Sequence, residues 1–232
     1  MKTYRKTAKV IGSAYLFSNL TFILGTIVMV EAILRTPDYL SLISANRAQV
    51  VMGVLLSFAN GLAYVGIAVL LFPILRVRFE SLALAYVGFR LVEFITQIMA
   101  DVSPLVLLTL TGDTNQIGAV QGLGALLLAE RFWAFQMLNL IFSLSALLLY
   151  AMFLHTRLIP EFISIWGLLA AALVLSNTMI GWFNPELGEA LGMITGLPML
   201  LNEVFLGLWL IGRGFNQSAT AVEPVRQLAL EV

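Results

Sequence analysis

Six apolar runs, each long enough to cross a bilayer, leave this chain few ways to fold. In hydrocarbon every backbone N–H and C=O must be satisfied within the protein, so a run of about 20 apolar residues reads as a transmembrane helix. The runs lie at about residues 9–34, 49–75, 80–110, 132–154, 160–183 and 190–212. Charged residues make up only 11% of the chain and mean hydropathy is +0.95, whereas soluble domains carry about 25% charge. The expected fold is all-α, an integral membrane bundle of six transmembrane helices over 1–213 with a short cytoplasmic tail over 214–232.

Lys and Arg set the expected orientation, because they collect on the cytoplasmic side of short loops. Lys2, Arg5, Lys6, Lys9, Arg76, Arg78, Arg157, Arg213 and Arg226 fall on one side, and Arg35, Arg47 and Arg131 on the other. This places both termini in the cytoplasm and the protein in the cell membrane, with the lipid bilayer as its partner. The first run is longer than a signal-peptide core and no small-residue cleavage site follows it, so it reads as an uncleaved span. Trp133, Trp166, Trp182 and Trp209 fall near span ends, as aromatic belts do. Pro104 is expected to kink or end the third span. Between spans three and four, Asn115 to Ala129 holds three glycines and precedes the pair Glu130–Arg131. That composition points to a break, either an interfacial or a re-entrant helix, with Glu130 and Arg131 as interface anchors.

Several chemistries are excluded. The chain has no cysteine and one histidine, His155, so disulfides, thiolate metal sites and multi-histidine metal centres are out of reach. A Gly-x-Ser-x-Gly elbow, a Walker A loop and a Cys-x-x-Cys-His haem site are all missing from the sequence,. No cofactor and no metal are implied, and a net charge of zero gives no reason to expect nucleic acid.

The charges inside the runs carry the functional signal. Arg90 and Glu93 share one face of the third span, three residues apart, and Glu203 lies deep in the sixth. An ionised side chain at mid-bilayer costs roughly 2.5–3.5 kcal/mol on insertion scales. Such residues are kept when they pair, line a wet cavity or do chemistry. The expectation is a buried Arg90–Glu203 ion pair with Glu93 beside it. Asn19, Asn60, Gln97, Asn139, Asn177 and Asn202 join this polar centre or hold helices together. Gly188, Gly192 and Gly196 recur every four residues, a stripe that lets another helix approach. Asn19 with Asn139, Asn60 with Asn177, and Glu93 with Glu203 also align across the two halves. Three spans per half would make the second half inverted, as in many secondary transporters.

Leu158-Ile159-Pro160-Glu161-Phe162-Ile163-Ser164-Ile165-Trp166-Gly167 and Pro198-Met199-Leu200-Leu201-Asn202-Glu203-Val204-Phe205-Leu206-Gly207-Leu208-Trp209-Leu210-Ile211, with Phe89-Arg90-Leu91-Val92-Glu93, resemble a prokaryotic membrane family. It is catalogued as domain-of-unknown-function family 4386. The resemblance implies an all-helical multi-pass bundle and brings no activity or catalytic residues with it. Function therefore rests on the polar centre. The leading reading is a small transporter-like or channel-like protein for a small solute or ion. The alternatives are a structural or accessory membrane protein, and a lipid-modifying enzyme using Glu93 or Glu203.

Overall fold

A computed structural model of the chain describes residues 2–111 and 117–216, and every long element in it is helical. The first rod is α1 (Lys2–Thr21), continued by a π-helical stretch (Phe22–Glu31) and by α2 (Ala32–Leu34). A short α3 (Tyr39–Ala45) leads into α4 (Arg47–Leu110), followed by α5 (Ile117–Thr156), α6 (Glu161–Phe183) and α7 (Pro185–Gly212). Five of these helical stretches are long and apolar enough to cross a membrane. Their outer faces expose Leu62, Leu84, Ile95, Leu126, Leu169 and Met193 by half or more. A water-facing surface does not carry so many exposed large apolar side chains.

The expected second and third runs are both in α4, which is bent at Phe79, the one residue in it with non-helical dihedrals (φ −140°, ψ 62°). The two arms lie antiparallel. Tyr64 Oη donates to Gln97 Oε1 at 2.6 Å, Phe58 meets Phe94 with ring centroids 5.1 Å apart, and Gln97 Nε2 reaches Ser57. Around the bundle, α1 packs on α4, α4 on α5, α5 on α6, α6 on α7, and α7 returns to α1. The rods thus form a closed ring in chain order. Phe79 meets His155 edge-on, Asn216 N donates to Leu158 O at 2.8 Å, and Gly214 lies against Ala8. The basic start of α1, the Arg76–Arg78 bend, Arg157 and Arg213 therefore share one end of the bundle.

Three local expectations change. The described part of the 115–129 segment, from Ile117 on, is not broken off from the fourth run: α5 continues through it to Thr156 for 40 residues, about 60 Å at 1.5 Å per residue. Asn115 lies outside the described residues, as does the tail from 217. Pro104 does not end its helix, which continues to Leu110. The last helix starts at Pro185 rather than near 190, because Asn184 caps it by accepting from Leu187 N at 3.1 Å and proline suits the first helical position,.

Close helix contact depends on a few glycines. A methyl group on Gly12 would come within 2.5 Å of the Gly207 carbonyl oxygen, and one on Gly207 within 3.0 Å of the Gly12 oxygen. Here α1 and α7 touch backbone to backbone, the closest approach small residues allow within a membrane. At Gly66 the same methyl meets nothing within 4 Å. Gly12→Ala should therefore lower the thermal midpoint in detergent, by roughly 1–3 kcal/mol of stability. Gly66→Ala should leave it unchanged or raise it through helix propensity, by up to about 1 kcal/mol. A Gly12→Ala protein as stable as the parent would contradict this packing.

Candidate functional site

The buried face of the second arm of α4 carries Tyr86, Arg90, Glu93, Gln97 and Asp101, spaced four, three, four and four residues apart. That spacing keeps them on one stripe of a helix. All five are buried, and they divide into two charged layers joined by a neutral polar bridge.

The first layer surrounds Arg90, about 16 Å along the arm from Phe79. Arg90 Nη1 donates to both Glu93 oxygens, at 3.0 and 3.1 Å, and Nε donates to Tyr86 Oη at 3.3 Å. Its guanidinium carbon lies 5.4 Å from the ring centres of Tyr64, Tyr86 and Phe142. The expected Arg90–Glu203 ion pair does not form: Arg90 pairs with Glu93 on its own helix. Glu203 makes no ion pair among the described residues, and Asn19 beside it donates to Tyr15 O on its own helix at 2.9 Å. Ser145 of α5, beside the Arg90–Glu93 pair, donates to Phe142 O at 2.9 Å. The hydroxyls of Tyr15 and Tyr150, both buried, have no hydrogen-bond partner, and both feel the Glu203 charge. Glu203 itself is partly accessible.

The bridge is Gln97, which donates to Ser57 O at 2.6 Å and Ser57 Oγ at 2.7 Å, while Thr26 Oγ1 donates to the same Ser57 hydroxyl at 3.3 Å. Ser57 in turn reaches Asp101. Three neighbouring rods are tied here.

The second layer is built around Arg131, which is 3% exposed and so is not an interface anchor. Nε donates to Glu31 Oε1 at 3.1 Å, Nη2 lies 3.0 Å from the same oxygen, and Nη1 lies 3.3 Å from Asp101 Oδ1. Nη1 also donates to the carbonyl of Ala100 at 2.5 Å. That carbonyl is free because Pro104, four residues on, has no N–H to give it. Arg131 stacks over Phe135, 4.7 Å from the ring centre. Ser103 donates to Glu130, its neighbour in the same layer. Arg35 extends the layer toward the end of the bundle, pairing with Glu31 at 3.3 Å and Glu189 at 2.7 Å.

The remaining polar residues separate. Asn60 accepts from Ser18 at 2.5 Å and ties α1 to α4. Asn177 donates to Gly188 O, and Asn202 to Ile163 O, both at 3.0 Å, so these two hold the α6–α7 seam. Asn139 is partly buried, and its backbone carbonyl accepts from Ser143 Oγ at 2.7 Å. Of the glycine stripe, Gly188 meets the backbone of Gly181 at 2.5 Å from an added methyl, Gly192 has only Asn177 Nδ2 at 3.9 Å, and Gly196 has nothing within 4 Å. Sequence reasoning missed Tyr15, Tyr86, Tyr150 and the Arg131–Glu31–Asp101 group. The signals present were the stripe spacing and a proline four residues beyond Ala100.

The two layers differ mechanically. Arg90 and Glu93 belong to one helix, whereas Arg131 joins α5, the second arm of α4 and the π-helical end of the first rod. Arg131→Leu leaves the buried Asp101 carboxylate without its cation and Glu31 with only the exposed Arg35, and should cost about 3–5 kcal/mol,. Arg35→Leu breaks pairs whose arginine is 64% exposed and should cost no more than about 1 kcal/mol. Equal losses of thermal midpoint in the two variants would refute this role of Arg131 in joining the rods.

No similar chain was found among the curated proteins or the solved structures. A family model described as "Domain of unknown function (DUF4386)" matches residues 10–214, which span the whole ring of rods and both charged layers. The chain belongs to the DUF4386 family.

Proposed function

We propose that this is a six-span, transporter-like or channel-like protein of the cytoplasmic membrane, with both termini inside, whose polar centre passes a small solute or ion. The observation that carries the reading is Glu203. It is an acidic residue, half-buried as a whole, deep in an apolar helix, and it has no ion-pair partner among the described residues because the one arginine of its layer is committed to Glu93. With both carboxylates ionised, the layer holds one positive and two negative charges, which favours a cation or a solute with a positive end. An arginine–glutamate pair within one helix fixes no register between helices, so packing alone gives little reason to keep it. The bend at Phe79 supports counting the two arms of α4 as separate spans. The shared basic end supports the orientation.

A structural role is the second reading, and the Arg131 layer favours it, because that layer joins three rods. The three-plus-three inverted repeat remains part of the proposal. Asn60 and Asn177 bond toward different neighbours, α1 and α7. A two-fold axis in the membrane plane that superposes the halves would support the repeat, and failure to superpose would remove it.

The chain has no native cysteine, so single cysteines report water directly. Gly196→Cys and Glu203→Cys should react with a membrane-impermeant thiol reagent added from one side of sealed vesicles. Leu206→Cys and Leu210→Cys, within the fully buried apolar cluster nearer the shared basic end, should not. Absence of labelling at both 196 and 203, from either side, would overturn the transport reading.

A further inference from the structure

At the basic end of the bundle, α5 stops, α6 starts and α7 stops around one cleft of about 390 Å³. Arg157, Pro160, Glu161, Trp209, Arg213 and Phe215 line it. Its shape is held by specific backbone features. Gly214, at φ 77°, ends α7 and returns its N–H to Trp209 O at 3.2 Å, and Asn216 N then ties the returning strand to Leu158 O. Arg157 takes a left-handed conformation, φ 53°, at a position after a helix where glycine is usual.

The charges of the cleft are poorly matched within the protein. Arg213 has no ion-pair partner among the described residues. Arg157 pairs with Glu161 at 3.0 Å, but both side chains are more than half exposed, and such pairs hold weakly. Glu161 is the one carboxylate lining the cleft, against two guanidiniums. Pro160 caps α6 without a side-chain hydrogen bond, so the N–H groups of Glu161 and Phe162 have no partner inside the helix. A ladder of aromatic rings leads away from the cleft along the α6–α7 seam. Trp209 stacks on Phe205 with centroids 6.5 Å apart, and Phe205 meets Phe162 at 5.7 Å and Trp166 at 6.1 Å. Phe162 is 52% and Phe205 38% exposed, so the ladder is open to lipid.

We propose that this cleft binds the phosphate of an anionic phospholipid between Arg157 and Arg213, with an acyl chain lying along the Phe162–Phe205 ladder. Guanidiniums match phosphate oxygens through paired hydrogen bonds, and a basic site beside interfacial tryptophan sits where headgroups lie.

The test uses the full chain in a neutral detergent, titrated with phosphatidylglycerol or phosphatidylcholine carrying brominated acyl chains, with quenching of tryptophan fluorescence as readout. Phosphatidylglycerol should bind at least about tenfold more tightly, since each basic contact near a membrane surface contributes roughly fivefold and the cleft has two. Arg157→Ala with Arg213→Ala should reduce the preference to about twofold or less. Glu161→Gln, which removes the competing carboxylate, should strengthen phosphatidylglycerol binding; it keeps the test decisive if the double variant folds poorly. Equal binding of the two lipids, a preference that survives the double substitution, or weaker binding in Glu161→Gln would overturn the proposal. Full displacement of the lipid by inorganic phosphate at similar concentration would also overturn it, by showing a free-phosphate site.

Discussion

An arginine enclosed by apolar helices must find its counter-charges inside the protein, and much of this bundle is arranged around meeting that demand at Arg131. Its cation is shared by Glu31, Asp101 and the carbonyl that Pro104 leaves free. These partners come from rods distant in sequence, so the contact also determines how those rods sit against one another. It lets α5 carry a charged pair through its length without breaking. It also holds the π-helical end of the first rod, where Gly25 and Gly53 bring backbones together.

Arg90 meets the same demand differently. Its carboxylate is three residues away on its own helix, and three aromatic rings close over it. The consequence falls on Glu203, which keeps asparagine as its near neighbour and two unpartnered tyrosine hydroxyls in its field. One layer therefore binds helices and the other leaves polar capacity unused. On the proposed reading, transport and architecture do not compete for the same residues, because the two layers are built on separate arginines. Between the layers, Gln97 and Ser57 keep the stripe continuous. At the basic end, the large apolar cluster around Tyr86, Phe153 and Leu210 closes it.

The apolar runs, helix class and burial of Arg90, Glu93 and Asn202 were legible in the sequence because hydrocarbon punishes unsatisfied polarity so strongly that run length and charge position nearly decide the matter. Partner choice was not legible. Placing Arg90 and Glu203 at similar depth left open which carboxylate the guanidinium would take, and the nearer residue on the same helix won. Arg131 read as an interface anchor because Glu130, three glycines and an over-long apolar run argued for a break. Arg131 is tolerable inside the bundle because of tertiary partners, and a single chain read linearly does not display Glu31 and Asp101 beside it. Pro104 shows the same limit: it read as a helix breaker, whereas in the fold its missing N–H leaves an acceptor that Arg131 uses.

The division between a binding layer and an open layer is tested most directly by removing one carboxylate charge from each and comparing thermal midpoints in the same detergent. Asp101→Asn withdraws a counter-charge from Arg131 and should lower the midpoint clearly. Glu203→Gln withdraws a charge that no arginine neutralises, and should leave the midpoint unchanged or raise it. If Glu203→Gln destabilises the protein as much as Asp101→Asn does, Glu203 is a structural partner and the open polar centre does not exist.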